Sequence, residues 1–134
     1  MKIVIVVEGR LTGKGRPRFF KGHAVTPQAT RDYEKKVKTE YERQGGELFE
    51  VPVRINITAY KKVPKSYTKK RTELIRNGIE QPVNKPDIDN ICKIVLDALN
   101  GVAYKDDTQV IRLAISKKYT ESTERIEFEV KEYK

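Results

Sequence analysis

The sequence predicts one small α/β (α+β) domain spanning residues 1–134, with a mixed sheet of about four strands packed with two to three helices. Three observations predict it. Four segments are rich in β-branched residues or alternate apolar with polar side chains. Two segments repeat apolar residues at helical spacing, and a third, basic segment carries sparse apolar anchors. No repeat, low-complexity tract or linker interrupts the 134 residues, a length that fits one domain.

Residues 2–8 form a β-branched run without alternation and read as a strand buried on both faces. Residues 9–22 carry four glycines and a proline among cationic and aromatic side chains, so they read as a basic loop. Thr26-Pro27 is a helix-start signal, with Thr as N-cap and Pro at the first helical position. Tyr33, Val37 and Tyr41 then give a narrow buried stripe, and Gly45-Gly46 ends the helix. Residues 49–60 alternate around Val51, Val53, Ile55 and Ile57 as a second strand, stopped at Lys61-Lys62-Val63-Pro64. Residues 65–77 read as a basic helix anchored by Leu74 and Ile75. Another helix runs from Asp87 or Asp89 to Leu99, with Ile88, Ile91, Cys92, Val95 and Leu99 on one face, and closes at Asn100-Gly101. Residues 109–117 and 124–133 are the last strands, and 120–123 between them read as a hairpin turn.

Composition narrows the function classes. Lys and Arg number 28 against 19 Asp and Glu, a net charge of +9 and a pI near 9.6. That balance points to a polyanion as partner, either nucleic acid or an acidic membrane, and nucleic acid is favoured over a merely lysine-rich surface. Cys92 is the single cysteine and His23 the single histidine, so an internal disulfide and a Cys/His zinc site are both excluded. The first eight residues are too short and too early charged for a signal peptide, and no apolar run approaches a membrane span. The expected location is cytoplasmic.

Against this basic background stands an acidic constellation. Asp87 and Asp89 open the apolar helix, Asp106 and Asp107 precede a strand, and Lys93 follows Asp89 by one helical turn. Carboxylates at element ends are placed to converge on a hard metal ion. Each residue also has a plainer role. An Asp at a helix start caps free N–H groups, Lys93 can pair with Asp89 at i,i+4, and Asp106-Asp107 can make a turn.

The run 85–110 resembles the signature of RusA-type Holliday junction resolvases, the small crossover-junction endodeoxyribonucleases of bacteria and their phages. Asp87-Ile88-Asp89-Asn90 matches the family's paired-aspartate motif, Lys93 its essential lysine and Asp97-Ala98-Leu99 the helix continuation. Asp106-Asp107-Thr108-Gln109-Val110 matches the second acidic motif, whose second Asp is the catalytic one. Gly13-Lys14-Gly15-Arg16-Pro17-Arg18-Phe19 resembles the family's basic loop, and Thr26-Pro27 to Tyr33-Glu34 the helix start after it. The similarity spans most of the chain, and 87–110 is its specific part. The short loop 99–106 is shared with phage-type members.

The resemblance implies a RusA-like fold and Mg²⁺-dependent resolution of four-way DNA junctions by paired nicks, with Mn²⁺ able to substitute. It assigns catalysis to Asp87, Asp89, Lys93 and Asp107, and metal ligation to Asp87, Asp89 and Asp107 with Asp106 beside them. It implies a homodimer, because a junction of two-fold symmetry needs two related sites. No small-molecule cofactor and no membrane are expected. The candidate DNA contacts are Arg10, Lys14, Arg16, Arg18 and Lys21 in the first loop, then Lys61, Lys62, Lys65, Lys69, Lys70 and Arg71. Phe19 and Phe20 either stack on bases or close the core. Two other readings stay open. One is a non-enzymatic nucleic-acid binder. The other is a PD-(D/E)xK-type nuclease using Pro86-Asp87 with Glu129 and Lys131.

Overall fold

The structure is a computed structural model and describes residues 3–134, so Lys2 of the first expected strand lies outside the described residues. The sheet is mixed and four-stranded, as expected, in the order β1-β6-β4-β5. Its centre is β4 (Val53–Lys62), parallel to β5 (Val110–Thr120) and antiparallel to β6 (Arg125–Glu132). The short β1 (Ile5–Glu8) pairs antiparallel with β6. Alternation explains which face is covered: Val53, Ile55, Ile57 and Ala59 of β4 are buried with Ile126 and Phe128 of β6. On that face lie α1 (Gln28–Arg43) and α3 (Ile88–Leu99), contributing Tyr33, Val37, Tyr41, Ile91, Ile94, Val95, Ala98 and Leu99 to one core. A third helix, α2 (Lys69–Arg76), buries no residue.

Several expectations are corrected. The first strand is not buried on both faces. It is an edge strand whose burial alternates, with Ile5 and Val7 inside. Residues 120–123 do not make a hairpin turn, because β4 lies between β5 and β6. The link crosses the end of β4, where Val63 donates to Thr120 O and the Lys62 N–H is accepted by Glu124 Oε1. Pro27, not Thr26, is the N-cap of α1, in extended backbone without a side-chain cap bond. β4 starts only at Val53, and Val51 is exposed. Ile88 is exposed, while Ile94 and Ala98 complete the α3 core face.

The basic loop also differs from a plain loop. Its end forms a hairpin of β2 (Arg18–Phe20) and β3 (His23–Val25). Lys21 and Gly22, both at positive φ, make the two-residue turn that such a ribbon favours. Phe19 and Phe20 are 82% and 66% exposed, so they do not close the core.

Candidate functional site

The acidic pair sits at the head of α3. Asp87 takes the N-cap position in extended backbone, yet its carboxylate makes no cap bond. Its Oδ1 accepts the side-chain amide of Asn90 at 2.6 Å instead. Capping therefore does not explain this carboxylate. Burial pushes the Asp87 carboxyl up, but the Asn90 amide, the neighbouring Asp89 and the Lys117 ammonium together hold it below its usual range. Asp89 is exposed in the first turn beside it, and Lys93 reaches Asp89 only at 3.9 Å, with both side chains largely in solvent. Such a pair is worth a few tenths of a kcal/mol, about 0.3–0.5 at i,i+4, so the Lys93 ammonium stays available to another partner.

Asp106 and Asp107 divide the two roles left open for them. Asp106 caps a short 3-10 turn over Asp107–Gln109 and accepts the Thr108 N–H at 3.2 Å. Gln109 closes the box by accepting the backbone N–H groups of Lys105 and Asp106. Asp107 has no such structural duty. Desolvation first, then Asp106 and Asp97, push its carboxyl above the usual range. A carboxylate crowded by others and partly withdrawn from water is one that a cation would stabilise.

The two halves do not meet within one chain. Asp107 lies beside Asp97, at the far end of α3 from Asp87 and Asp89. Asp89 and Asp97 are separated by about 12 Å of helix rise. Among the described residues, no three His, Cys, Asp or Glu side chains gather closely enough to hold a metal ion.

The basic segments reach this region unequally. The first loop is locked against the head of α3: Lys14 N–H donates to Asn90 O at 2.9 Å, and Gly15 N–H to Thr30 Oγ1 at 3.0 Å. A Cβ on Gly15 would lie 2.7 Å from that hydroxyl, which explains the glycine. Arg16, Arg18 and Lys21 project into solvent from this segment. Lys14 does not, since it bridges Glu34 at 2.8 Å and Asp97 at 2.9 Å. Arg10, Lys61 and Lys62 line one shallow groove with Glu124. Lys65, Lys69 and Lys70 are exposed on and before α2, while Arg71 is engaged by Glu80 and stacked over Tyr67.

In the PD-(D/E)xK alternative, Glu129 lies away from Asp87. Glu129 aligns with Asn56 and accepts its amide, on the sheet face opposite the helices. Sequence reasoning missed Lys117. Its ammonium donates to Asn84 O at 2.8 Å and Pro86 O at 3.1 Å, tying the lead-in of α3 to β5. Thirty-one residues separate Lys117 from Pro86, and no local signal links them.

With this geometry in hand, comparison with known proteins gives a consistent result. A family model described as Endodeoxyribonuclease RusA matches residues 8–131. YqaN of Bacillus subtilis (strain 168), described as uncharacterized, is similar at 35% identity over 137 residues, covering 97% of this chain and 96% of its own length. The chain belongs to the RusA endodeoxyribonuclease family. Among the described residues no helix is long and apolar enough to cross a membrane.

Proposed function

We propose that this protein is a structure-selective endodeoxyribonuclease that resolves four-way DNA junctions by paired, symmetric nicks in the presence of Mg²⁺. The observation that carries the reading is the uncapped carboxylate pair Asp87–Asp89 at the head of α3 in a chain of net charge +9. Carboxylates repel phosphate, so a purely binding protein gains nothing from placing two beside its basic loop. Their hard oxygen donors fit a divalent cation that keeps part of its water shell. When bound, Mg²⁺ supplies charge neutralisation at the phosphate and a more acidic water.

The chain's own residues do the rest. Asp87 and Asp89 hold the cation, with Asn90 orienting Asp87. Asp107, apart from that pair within one chain, would complete the ligand set from the second copy of the homodimer that a two-fold junction calls for, and Asp106 holds the turn that presents it. Lys93 places positive charge against the scissile phosphate. Arg16, Arg18 and Lys21, with Arg10, Lys61 and Lys62, bind phosphates and carry little sequence information. Phe19 and Phe20, exposed at the hairpin tip, stack on unpaired bases at the branch point.

The test is cleavage of a synthetic four-way junction with Mg²⁺ and mapping of the cuts. Symmetric nicks in opposed strands are expected, and binding without nicks would establish the non-enzymatic reading instead. Asp87→Asn, Asp89→Asn or Asp107→Asn should each abolish cleavage while binding is kept or tightened. Lys93→Ala should lose about 10²–10³ in rate with little change in melting temperature. If about 6–8 phosphates are contacted, log K against log salt should slope near −5 to −7.

A further inference from the structure

The sheet face opposite the helices carries three cations in one row. Arg54 of β4 aligns with Arg112 of β5 on one side and with Lys131 of β6 on the other. Val53 and Ile55 flank Arg54 and are buried in the core, so Arg54 and its two cross-strand neighbours stand on the open face. Adjacent strands lie about 4.8 Å apart, so the three charged residues share about 10 Å of sheet. Like charges directly opposite destabilise a pair of strands. The carboxylates next along β6 are engaged elsewhere: Glu127 pairs with Arg125 at 2.6 Å, and Glu129 accepts the Asn56 amide at 2.9 Å. Among the described residues no carboxylate is ion-paired to Arg54, Arg112 or Lys131.

A cavity of about 520 Å³ opens at the same end of the sheet, between the loop after α1, the start of β1 and the end of β6. Its size is that of a ligand site. Ile3, Phe49 and Val130, each half-buried against the core, give it apolar walls. Arg54, Lys131 and Lys134 supply its cations. Gly46 keeps it open, since a Cβ there would lie 2.4 Å from the Tyr41 ring. Glu47 and Glu132 also line it, but Glu132 aligns with Val53 and so belongs to the face away from Arg54. The cavity therefore joins an apolar hole to the end of the cation row.

We propose that this end of the sheet docks a short acidic peptide of a partner protein, with an apolar side chain of the peptide in the cavity and its carboxylates on Lys131, Arg54 and Arg112. Such a site is independent of the nuclease activity proposed above. The two chemistries side by side select the ligand: the cavity takes an apolar group, and the row beside it takes anions. An extended peptide presents side chains on one face about every 7 Å, so two carboxylates span the row. A nucleic-acid backbone fits less well. Its phosphates, continued along the face, would meet Glu129 and Glu127, the next two outward residues of β6. Positive charge confined to one short row suits a short ligand. Cations held together at a cost in stability mark a binding surface, because stability and function trade against each other.

The test uses the full chain and a fluorescein-labelled peptide made of a run of aspartates, a glycine and a C-terminal phenylalanine amide, with binding read by anisotropy. Saturable binding is expected. Exchanging the phenylalanine for alanine should weaken it about ten-fold or more, the worth of burying one aromatic side chain. Exchanging the aspartates for asparagines should abolish it. Arg54→Gln and Lys131→Gln should each weaken the original peptide about ten-fold, through loss of a charge-assisted contact. Both variants should also melt slightly higher than wild type, because each thins a row of like charges. Junction binding by Arg54→Gln should stay near wild type. No saturable binding, or equal binding of the alanine peptide, would overturn the proposal. Melting temperatures that fall in both variants would make the row a support of the fold and overturn it as well. Loss of junction binding in Arg54→Gln would assign the row to DNA phosphates in place of a peptide.

Discussion

The β1 edge of the sheet is closed by a side chain, whereas the β5 edge is left bare among the described residues. At β1, the Gln44 amide acts as a substitute strand: its Oε1 accepts the Val6 N–H at 2.9 Å and its Nε2 donates to Val6 O at 2.7 Å. Gln44 is the C-cap of α1, and Glu40 one turn earlier holds its amide in place. The edge is four residues long, and both outward groups of Val6 are satisfied. At β5 the edge is eleven residues long and carries exposed Ile111 and Leu113. Unprotected edges invite pairing, and proteins usually blunt them. A chain that blunts one edge and not the other leaves the second open to another strand.

The largest effect should come from breaking the bare edge. Leu113→Lys would place an ammonium group on the exposed apolar edge, where two paired copies would bring like charges together. Position 113 is exposed at the edge, so the fold should survive. The expected outcome is a monomer by sedimentation, with paired junction cleavage lost and the melting temperature changed little. Mixing it with Leu113→Glu should restore dimers, because opposite charges then face each other. A Leu113→Lys protein that remains dimeric would remove β5 from the interface.

Next is the link between this edge and the acidic pair. Lys117→Met keeps the aliphatic stem but frees the carbonyls of Asn84 and Pro86. Groups that orient metal ligands from behind are typically worth about 10–100-fold in metal affinity. Mn²⁺ binding, followed by electron paramagnetic resonance, should weaken by that order, and Lys117→Arg should recover part of it. Unchanged Mn²⁺ affinity would reduce Lys117 to a loop tether.

The protected edge should respond in stability and not in activity. Gln44→Ala leaves the half-buried Val6 N–H and C=O without their partner. An orphaned polar group costs about 1–3 kcal/mol, and urea unfolding should show a loss of that order. Junction cleavage below the melting temperature should stay near wild type. Aggregation on standing should rise, because the variant has two open edges.

What the sequence revealed and hid follows the range of each interaction. α3 was legible because its core face repeats at helical spacing, and Asp87 and Asp89 were legible because they precede an apolar run. That Asp106 and not Asp107 caps the turn needed coordinates, since both orders satisfy the same turn letters. The hairpin expected at 120–123 failed because local turn chemistry does not say whether a third strand lies between its arms, and here β4 does. β1 misled in a similar way. Its β-branched run suits a buried strand, but β6 occupies one side of it and a helix-end glutamine the other. Lys14 and Arg71 looked like free DNA contacts, yet each is ion-paired to a carboxylate, 20 and 9 residues away.

The smallest effect concerns the support behind the closed edge. The Glu40 carboxylate accepts hydrogen bonds from Arg43 and from the Gln44 amide, and these two, Arg43 foremost, hold it well down, at about 2 against an ordinary 4.5. A carboxyl depressed on folding adds stability that is fully present above its ordinary value and is lost as pH falls through its folded value. The relevant window therefore runs from about pH 4.5 down to about pH 2. Glu40→Gln keeps an oxygen for Gln44 but ends the charge interaction with Arg43. Its melting temperature should lie slightly below wild type at neutral pH, and the difference should shrink across that window until the two coincide. The pair is exposed enough for salt to screen it, so 1 M NaCl should narrow the neutral-pH difference as well. A difference that stays constant from pH 7 to pH 2 would mean that Glu40 supports the β1 edge through shape alone.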